Sequence, residues 1–246
     1  MTATMTAHAA HTFACPSFAK PRVSTQVGRA QKIVHRSSDA ALPVHLFLDF
    51  SNIAIGAKDL AAEKGDGWLK RSDVRLHLEN FKHLVQRDRT WGSGYAAAGL
   101  YRGEVLKANA EKLGIRFDVC ERGNRTNTEQ GVDEKIQAAM VKMLLPYFES
   151  NPPAPGIIAL ATGDGNGHLD GVGFLPLLRA FHILGFQIEV LSWRDSLNPV
   201  LGDWAAQHGQ LIELDGWYQE LTYVEYGRQA KSARELYFKL AQQQSA

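Results

Sequence analysis

The stretch Val44–Ile53, VHLFLDFSNI, decides the fold because it joins a short apolar run to a group of polar side chains. The apolar part, from Val44 to Leu48, is bounded by polar turn residues and therefore predicts a buried β-strand. Asp49 ends this strand and Asn52 follows three residues later, so two oxygen-bearing side chains would stand at the rim of a sheet. In open α/β sheets, ligands bind beyond the carboxyl ends of the strands. The stretch therefore predicts a ligand site at that rim.

Composition limits the kinds of protein that this chain can be. It has 246 residues, of which 45% are hydrophobic, and a formal net charge of +1, which suits one globular domain with additional segments. No uninterrupted apolar stretch is long enough to cross a bilayer, so we expect a soluble protein. The two cysteines, Cys15 and Cys120, lie in different contexts and cannot constitute a disulfide framework. A reducing compartment follows, and we expect the cytoplasm.

Charge is unevenly distributed along the chain. Residues 1–40 contain five basic residues and one acidic residue, a net charge of +4, so the remaining residues sum to −3. Residues 1–42 lack hydrophobic periodicity and predict a disordered, basic N-terminal segment. Two other interpretations stay open for this segment, a mitochondrial targeting sequence and an arm that contacts nucleic acid, with a mitochondrial or nuclear location as the alternative. Because the rest is slightly acidic, any RNA affinity must come from local patches.

Strands and helices alternate over the rest of the chain. Predicted strands cover 44–48, 95–101, 115–121, 157–161, 187–193 and 210–214, and predicted helices cover 72–87, 104–113, 128–147, 174–184 and 199–207. This alternation predicts βαβ units and a mostly parallel sheet within a domain that spans residues 43–215. The C-terminal extension, residues 216–246, is too aromatic to be wholly disordered. We expect it to pack on the domain or to bind a partner, which includes a second copy of the chain.

Polar and charged side chains follow the carboxyl ends of the predicted strands. In chain order these are Asp49 and Asn52, Arg102, Glu121 and Arg122, Asp164 and Asn166, and Arg194 and Asp195. Glu129 and Asp133 lie four residues apart on a predicted helix, so they share one face that points to the same rim. Carboxylates gathered in one cleft repel each other unless a cation neutralises them. A ligand set made only of oxygen selects Mg²⁺ or Mn²⁺ over Zn²⁺, and the arginines suit a phosphodiester backbone.

Each of these residues also has a purely structural interpretation. An aspartate at a strand end, such as Asp49, is usually a turn former or a helix cap, and GDGN at 163–166 is an ordinary tight turn. Glu129 fits a capping role, and Asp133 alone is typical of a solvated helix face. Convergence at one edge is what favours a metal site.

Among the tryptophans, Trp193 is the one whose position at a strand end suits base stacking.

Three segments, FLDFSNI, EQGVDEKI and ATGDGN, occur in an order and at separations that resemble the NYN domains. These domains are a branch of the PIN-like, metal-dependent ribonucleases. The resemblance covers roughly Pro43 to Leu214. It implies a three-layer α/β/α fold with a parallel sheet, an Mg²⁺ or Mn²⁺ cofactor, and cleavage of single-stranded or structured RNA.

The resemblance extends to individual positions. Asp49 and Asn52 match the family's Asp-x-x-Asn element, Glu129 and Asp133 match its acidic helix, and Asp164 matches the first aspartate of its Ser-Gly-Asp-x-Asp-like turn. The chain departs from the family at Asn166, where many relatives have a second aspartate. Seven further residues, GHLDGVG, then follow the turn, and Asp170 within them could substitute for the missing charge.

These observations lead to the hypothesis of a metal-dependent endoribonuclease. Asp49, Asp133 and Asp164 would ligate the ion, and Asn52 would position the site. Glu129 and Asn166 would be further residues of the metal site, and Arg102, Arg122 and Arg194 would contact RNA phosphates. The main alternative is a catalytically weakened or inactive module that binds RNA or a protein partner. A phosphohydrolase acting on nucleotides or small phosphate esters is a third interpretation.

Overall fold

The computed structural model describes residues 42–67, 73–99, 103–120, 131–149, 151–163 and 173–245. Its strands are β1 (Pro43–Asp49), β2 (Val74–Leu76), β3 (Thr90–Gly99), β4 (Ile115–Cys120), β5 (Ile157–Ala161), β6 (Gln187–Ser192), β7 (Gln210–Glu213) and β8 (Thr222–Val224). Its helices are α1 (Phe50–Leu60), α2 (Leu78–Gln86), α3 (Gly103–Lys112), α4 (Val132–Leu144), α5 (Phe174–Ile183), α6 (Pro199–His208), α7 (Tyr218–Leu221) and α8 (Ala233–Ser245). Short 3-10 helices cover Leu145–Phe148, Arg194–Ser196 and Leu214–Trp217.

Six strands form the central sheet, in the order β4-β3-β1-β5-β6-β7. Every pairing within this sheet is parallel, which confirms the predicted parallel sheet. From β1, the chain adds β3 and then β4 on one side of the sheet. It then adds β5, β6 and β7 on the other side of β1. The direction of building therefore reverses between β1 and β5, which makes their carboxyl ends the topological switch point of the sheet.

Helices cover both faces of this sheet. Alternate residues of β1 face opposite sides, because successive side chains of a strand point to opposite faces. Leu46 and Leu48 pack in a core with α1, α2, α3 and α8, whereas Phe47 packs in a second core with α4, α5 and α6. The strand β5 alternates between the same two cores. The predicted three-layer α/β/α fold is thereby confirmed.

The predicted helix over residues 72–87 is wrong at its start. Val74–Leu76 forms β2, which pairs antiparallel with β8 more than 140 residues later in the chain. The helix α2 begins only at Leu78, where His77 acts as its cap and accepts a hydrogen bond at Nδ1 from the backbone N–H of Asn80 at 3.1 Å. Val74 and Leu76 suit a helix or a strand equally well, so the distant partner strand decides the outcome.

The C-terminal extension packs on the domain. Trp217, Tyr218, Leu236 and Leu240 belong to the same core as the β1 face described above. The carboxylate of Asp66 holds this segment to the loop after α1, because it accepts hydrogen bonds from Tyr218 at 3.0 Å and from Arg228 at 2.7 Å. None of the described helices is both long and apolar enough to cross a membrane.

Candidate functional site

Asp49 lies at the switch point, as the last residue of β1. Its side chain is buried, and Oδ1 accepts a hydrogen bond from the backbone N–H of Asn52 at 2.9 Å. Asp49 is thus the N-cap of α1, which is the helix-capping role that the sequence left open for it. The positive end of the α1 helix dipole therefore lies at the carboxyl end of β1, beside β5.

Two buried oxygen atoms beside Asp49 have no hydrogen-bond partner among the described residues. They are Oδ1 of Asn52, in the first turn of α1, and Oγ1 of Thr162, directly after β5. A buried polar atom left unpaired costs about 1–3 kcal/mol. Such atoms are rare in folded proteins, and each calls for an explanation, of which a bound ion or ligand is one.

Gly163 brings these atoms together. A Cβ atom at this position would stand 2.5 Å from Oδ1 of Asn52 and 2.7 Å from Cβ of Ser196. Only a residue without a side chain allows the end of β5 to approach α1 this closely. The carbonyl of Gly163 also accepts a hydrogen bond of 2.7 Å from the backbone N–H of Asn198, which fixes the exit of β5.

Asp133 lies in the first turn of α4. The helix starts after the carboxyl end of β4 and packs against β1 and β3. Lys135, in the same first turn, donates from Nζ to the carbonyl of Val119 near the end of β4 at 3.0 Å. The structure therefore places the start of α4, with Asp133, at the carboxyl edge that the sequence predicted.

Several predicted site residues lie outside the described residues. These are Asp164, Asn166, Glu129, Arg102 and Arg122, together with Glu121 and Asp170. Gly163, which immediately precedes Asp164, does lie in the crevice between β1 and β5. Within the described ranges, no three His, Cys, Asp or Glu side chains are grouped closely enough to hold a metal ion.

Arg194 follows β6 at the same edge, but its guanidinium group already has a partner. Nη2 donates to Oε2 of Glu213 at 2.9 Å, and this hydrogen bond and charge raise the pKa of Arg194 above its ordinary value. The side chain is 60% exposed. An RNA phosphate would have to share or displace Glu213 in order to bind there.

Trp193 does not stack on bases. It is only 2% exposed, and its indole Nε1 donates to the carbonyl of Ile53 in α1 at 2.7 Å. The suggestion that its strand-end position suits base stacking was therefore wrong. The ring instead holds α1 against the end of β6 and so keeps Asp49 and Asn52 in place.

The sequence reasoning missed Thr162 and Ser51. The hydroxyl of Ser51 accepts a hydrogen bond of 3.1 Å from the backbone N–H of Gly99 and thereby ties the start of α1 to the end of β3. Thr162 directly follows the apolar strand β5, so its position at a strand end was the available signal. Only the tertiary structure shows that its hydroxyl has no partner among the described residues.

The polar side chains at the ends of β1 and β5 present oxygen atoms. Asp49 contributes a carboxylate, and Asn52 and Thr162 contribute neutral oxygen atoms that are buried without a partner among the described residues. Carboxylate and carbonyl oxygens are the ligands that Mg²⁺ and Mn²⁺ prefer. We name Asp49, Asn52 and Thr162 the carboxyl-edge cluster.

Comparison of the chain with known proteins identifies a protein of similar structure but does not assign the chain to a family. No protein-family model matches the chain, and no curated protein matches it. A solved structure of a protein of unknown function from Vibrio parahaemolyticus is similar to 73% of this chain and 96% of its own, with a TM-score of 0.48 and 12% sequence identity.

Proposed function

We propose that the chain is a metal-dependent endoribonuclease whose active site is the crevice between β1 and β5. The observation that carries the proposal is the carboxyl-edge cluster: a buried carboxylate beside two buried oxygen atoms that have no partner among the described residues. An oxygen-rich crevice at the switch point of a parallel sheet suits a divalent cation and a phosphate. The resemblance of three segments to the NYN domains supports RNA as the substrate.

The roles proposed for the residues follow from their positions. Asp49, Asn52 and Thr162 would hold Mg²⁺ or Mn²⁺, and Asp133, at the start of α4, would face the site. Asp164, Glu129 and Asn166 remain proposed contributors on the strength of the sequence. When bound, the cation would supply an activated water and charge for the phosphate. The arginines Arg102, Arg122 and Arg194 would bind flanking phosphates. Cysteine usage supports a cytoplasmic location.

Exchange of Asp49 for asparagine tests the proposal. Asparagine caps helices as well as aspartate does, so Asp49→Asn removes the charge and keeps the start of α1. We expect cleavage of labelled single-stranded and stem-loop RNA in Mg²⁺ or Mn²⁺ to fall by about 100-fold or more. Asp203→Asn, at an exposed position of α6, is the matched control and should cleave as the wild type does.

Thermal melting gives a readout that does not depend on cleavage. A cation that binds only the folded protein raises its melting temperature. We expect Mn²⁺ to raise the melting temperature of the wild type and of Asp203→Asn. The melting temperature of Asp49→Asn should not change. Equal cleavage by all three proteins, together with no effect of either cation on melting, would overturn the proposal.

Asn166 favours a second candidate function, a binding module that has lost its chemistry. It places a neutral amide where the NYN pattern has a carboxylate, and an amide attracts a cation less than a carboxylate does. Such a module would bind RNA equally well in EDTA and in Mg²⁺ and would cleave no substrate. The cleavage and melting assays therefore separate the two functions.

A further inference from the structure

A cleft between α7 and α8 lies outside the carboxyl-edge cluster. Its volume is about 480 Å³, within the range of about 300–1,000 Å³ that ligand pockets occupy. Its lining combines three cations, two carboxylates, an aromatic ring and a carboxamide. We name it the α8 cleft and define it by Lys231, Arg234, Phe238, Lys239 and Gln242.

Both carboxylates of the α8 cleft are engaged within the protein. The buried side chain of Glu220 accepts hydrogen bonds from Nζ of Lys239, at 3.1 Å to each oxygen. Glu235 accepts hydrogen bonds from the backbone N–H and the hydroxyl of Ser232, at 2.8 and 2.9 Å. Arg234 forms no hydrogen bond or ion pair with any described residue. The guanidinium group of Arg234 is thus available to an anion.

The outer face of α8 carries three different binding groups in one row. Arg234, Phe238 and Gln242 are spaced four residues apart, so they lie along one side of the helix. Phe238 is 67% exposed, whereas Leu236 and Leu240, on the other side, are buried in the core. A guanidinium binds phosphate, an exposed ring stacks on a base, and a carboxamide pairs with base edges. The row combines the groups that bind a single-stranded nucleic acid.

The α8 cleft adjoins the carboxyl edge through a chain of direct contacts. The ammonium of Lys239 lies 4.8 Å from the centre of the Trp217 ring, and Trp217 follows β7 at that edge. The next residue, Tyr218, has its ring centre 6.1 Å from that of Trp193, which is bonded to α1. These contacts place the cleft near the carboxyl end of β7, the edge strand of the same sheet.

We propose that the α8 cleft binds a single-stranded segment of RNA that extends beyond the crevice between β1 and β5. This inference rests on the proposed function. Arg234 holds a phosphate, and the ring of Phe238 stacks on a base. Lys231, whose Nζ lies 3.7 Å from Oε1 of Glu220, adds positive charge to the cleft. Recognition of this kind tolerates different sequences, because every base has an aromatic face. The cleft therefore selects for an unpaired flank and not for a particular base.

Binding of a fluorescein-labelled, single-stranded RNA of 12 nucleotides tests the inference. The full chain is titrated in EDTA, so that no cleavage occurs. We expect the double variant Arg234→Ala/Phe238→Ala to bind about tenfold more weakly or worse. Each lost phosphate contact also reduces the slope of log affinity against log salt by about 0.7. The double variant Arg179→Ala/Phe148→Ala, at exposed positions of the opposite layer, should bind as the wild type does.

The outcomes separate this inference from the nuclease proposal. Unchanged affinity in the cleft variant, an equal loss in the control variant, or no RNA binding by the wild type would overturn the inference. If the wild type cleaves RNA and the cleft variant binds it normally, the nuclease proposal stands and the inference fails. If the cleft variant alone loses affinity while no protein cleaves RNA, the inference stands and the nuclease proposal fails.

Discussion

Two of the buried polar clusters in the described part of the chain are built on opposite principles. The carboxyl-edge cluster leaves Oδ1 of Asn52 and Oγ1 of Thr162 without partners among the described residues. Toward the amino ends of the strands, Glu189 of β6 lies between Arg87 and Arg89. Each guanidinium donates to both carboxylate oxygens, at 3.1 and 3.1 Å from Arg87 and at 2.6 and 2.9 Å from Arg89.

The difference between the clusters shows which of them is structural. All charged groups of the arginine–glutamate cluster (Arg87, Arg89 and Glu189) are saturated by one another or by helix carbonyls, which leaves nothing for a ligand to bind. The carboxyl-edge cluster retains two buried oxygen atoms without a partner among the described residues. A fully paired cluster offers a ligand no free group, whereas buried polar atoms without partners call for an explanation, which our proposal supplies with a bound cation.

The largest expected effect is on the arginine–glutamate cluster. Glu189→Gln leaves two buried guanidinium groups without a counter-charge, so we expect the free energy of unfolding to fall by about 3–5 kcal/mol. Urea denaturation measures the change. Glu213→Gln, which breaks the exposed pair with Arg194, should cost about 1 kcal/mol or less. A small loss in Glu189→Gln would show that the cluster does not hold the fold together.

A methyl group at Gly163 tests the close approach in the crevice. The added Cβ of Gly163→Ala meets Asn52 and Ser196 at under 3 Å, and overpacking of this kind costs about 1–3 kcal/mol. We expect both the free energy of unfolding and RNA cleavage to fall. Gly216→Ala is the control, because a Cβ there has no atom within 4 Å. Equal behaviour of the two variants would refute the tight geometry.

Removal of an unpartnered hydroxyl separates stability from function. Thr162→Val replaces a buried donor that lacks a partner among the described residues, so we expect the protein to gain about 1 kcal/mol of stability and to lose cleavage. Thr222→Val is the matched control, because that hydroxyl donates to the carbonyl of Tyr218 at 2.6 Å and accepts from Arg228 at 2.9 Å. The control should be destabilised. Destabilisation of Thr162→Val as well would mean that its hydroxyl is paired.

The smallest expected effect is on the pH dependence of stability. Burial alone raises the pKa of Glu189, but the charges and hydrogen bonds of Arg87 and Arg89 outweigh it, and the net pKa lies below the ordinary value of 4.5. The stabilisation is therefore complete above pH 4.5 and is lost as the pH falls toward the lower pKa of the folded state. By pH 4 we expect a loss below about 1 kcal/mol. Urea denaturation at several pH values measures this dependence. The free energy of unfolding of Glu213→Gln should fall with pH in the same way, whereas that of Glu189→Gln should lack this contribution.

Local sequence was sufficient for the strands that build the site. The apolar runs of β1 and β5 and the polar residues that end them predicted both the parallel sheet and the edge at which Asp49 lies. Local sequence was insufficient for β2, because Val74 and Leu76 form a strand only when β8 pairs with them. Local sequence also gave the wrong role for Trp193, because the hydrogen bond from Trp193 to Ile53 joins residues 140 positions apart.

By itself, the sequence determined the alternation of strands and helices, the sheet they form and the carboxyl edge that carries Asp49 and Asn52, because hydrophobic period and turn residues act over a few neighbouring positions. Only the tertiary structure decided that Arg87 and Arg89 close on Glu189, that Trp193 clamps α1, and that Thr162 and Asn52 keep unpartnered oxygen atoms at the described part of the crevice. Each of these depends on contacts between residues far apart in the chain, and no local pattern records whether a buried polar atom finds its partner.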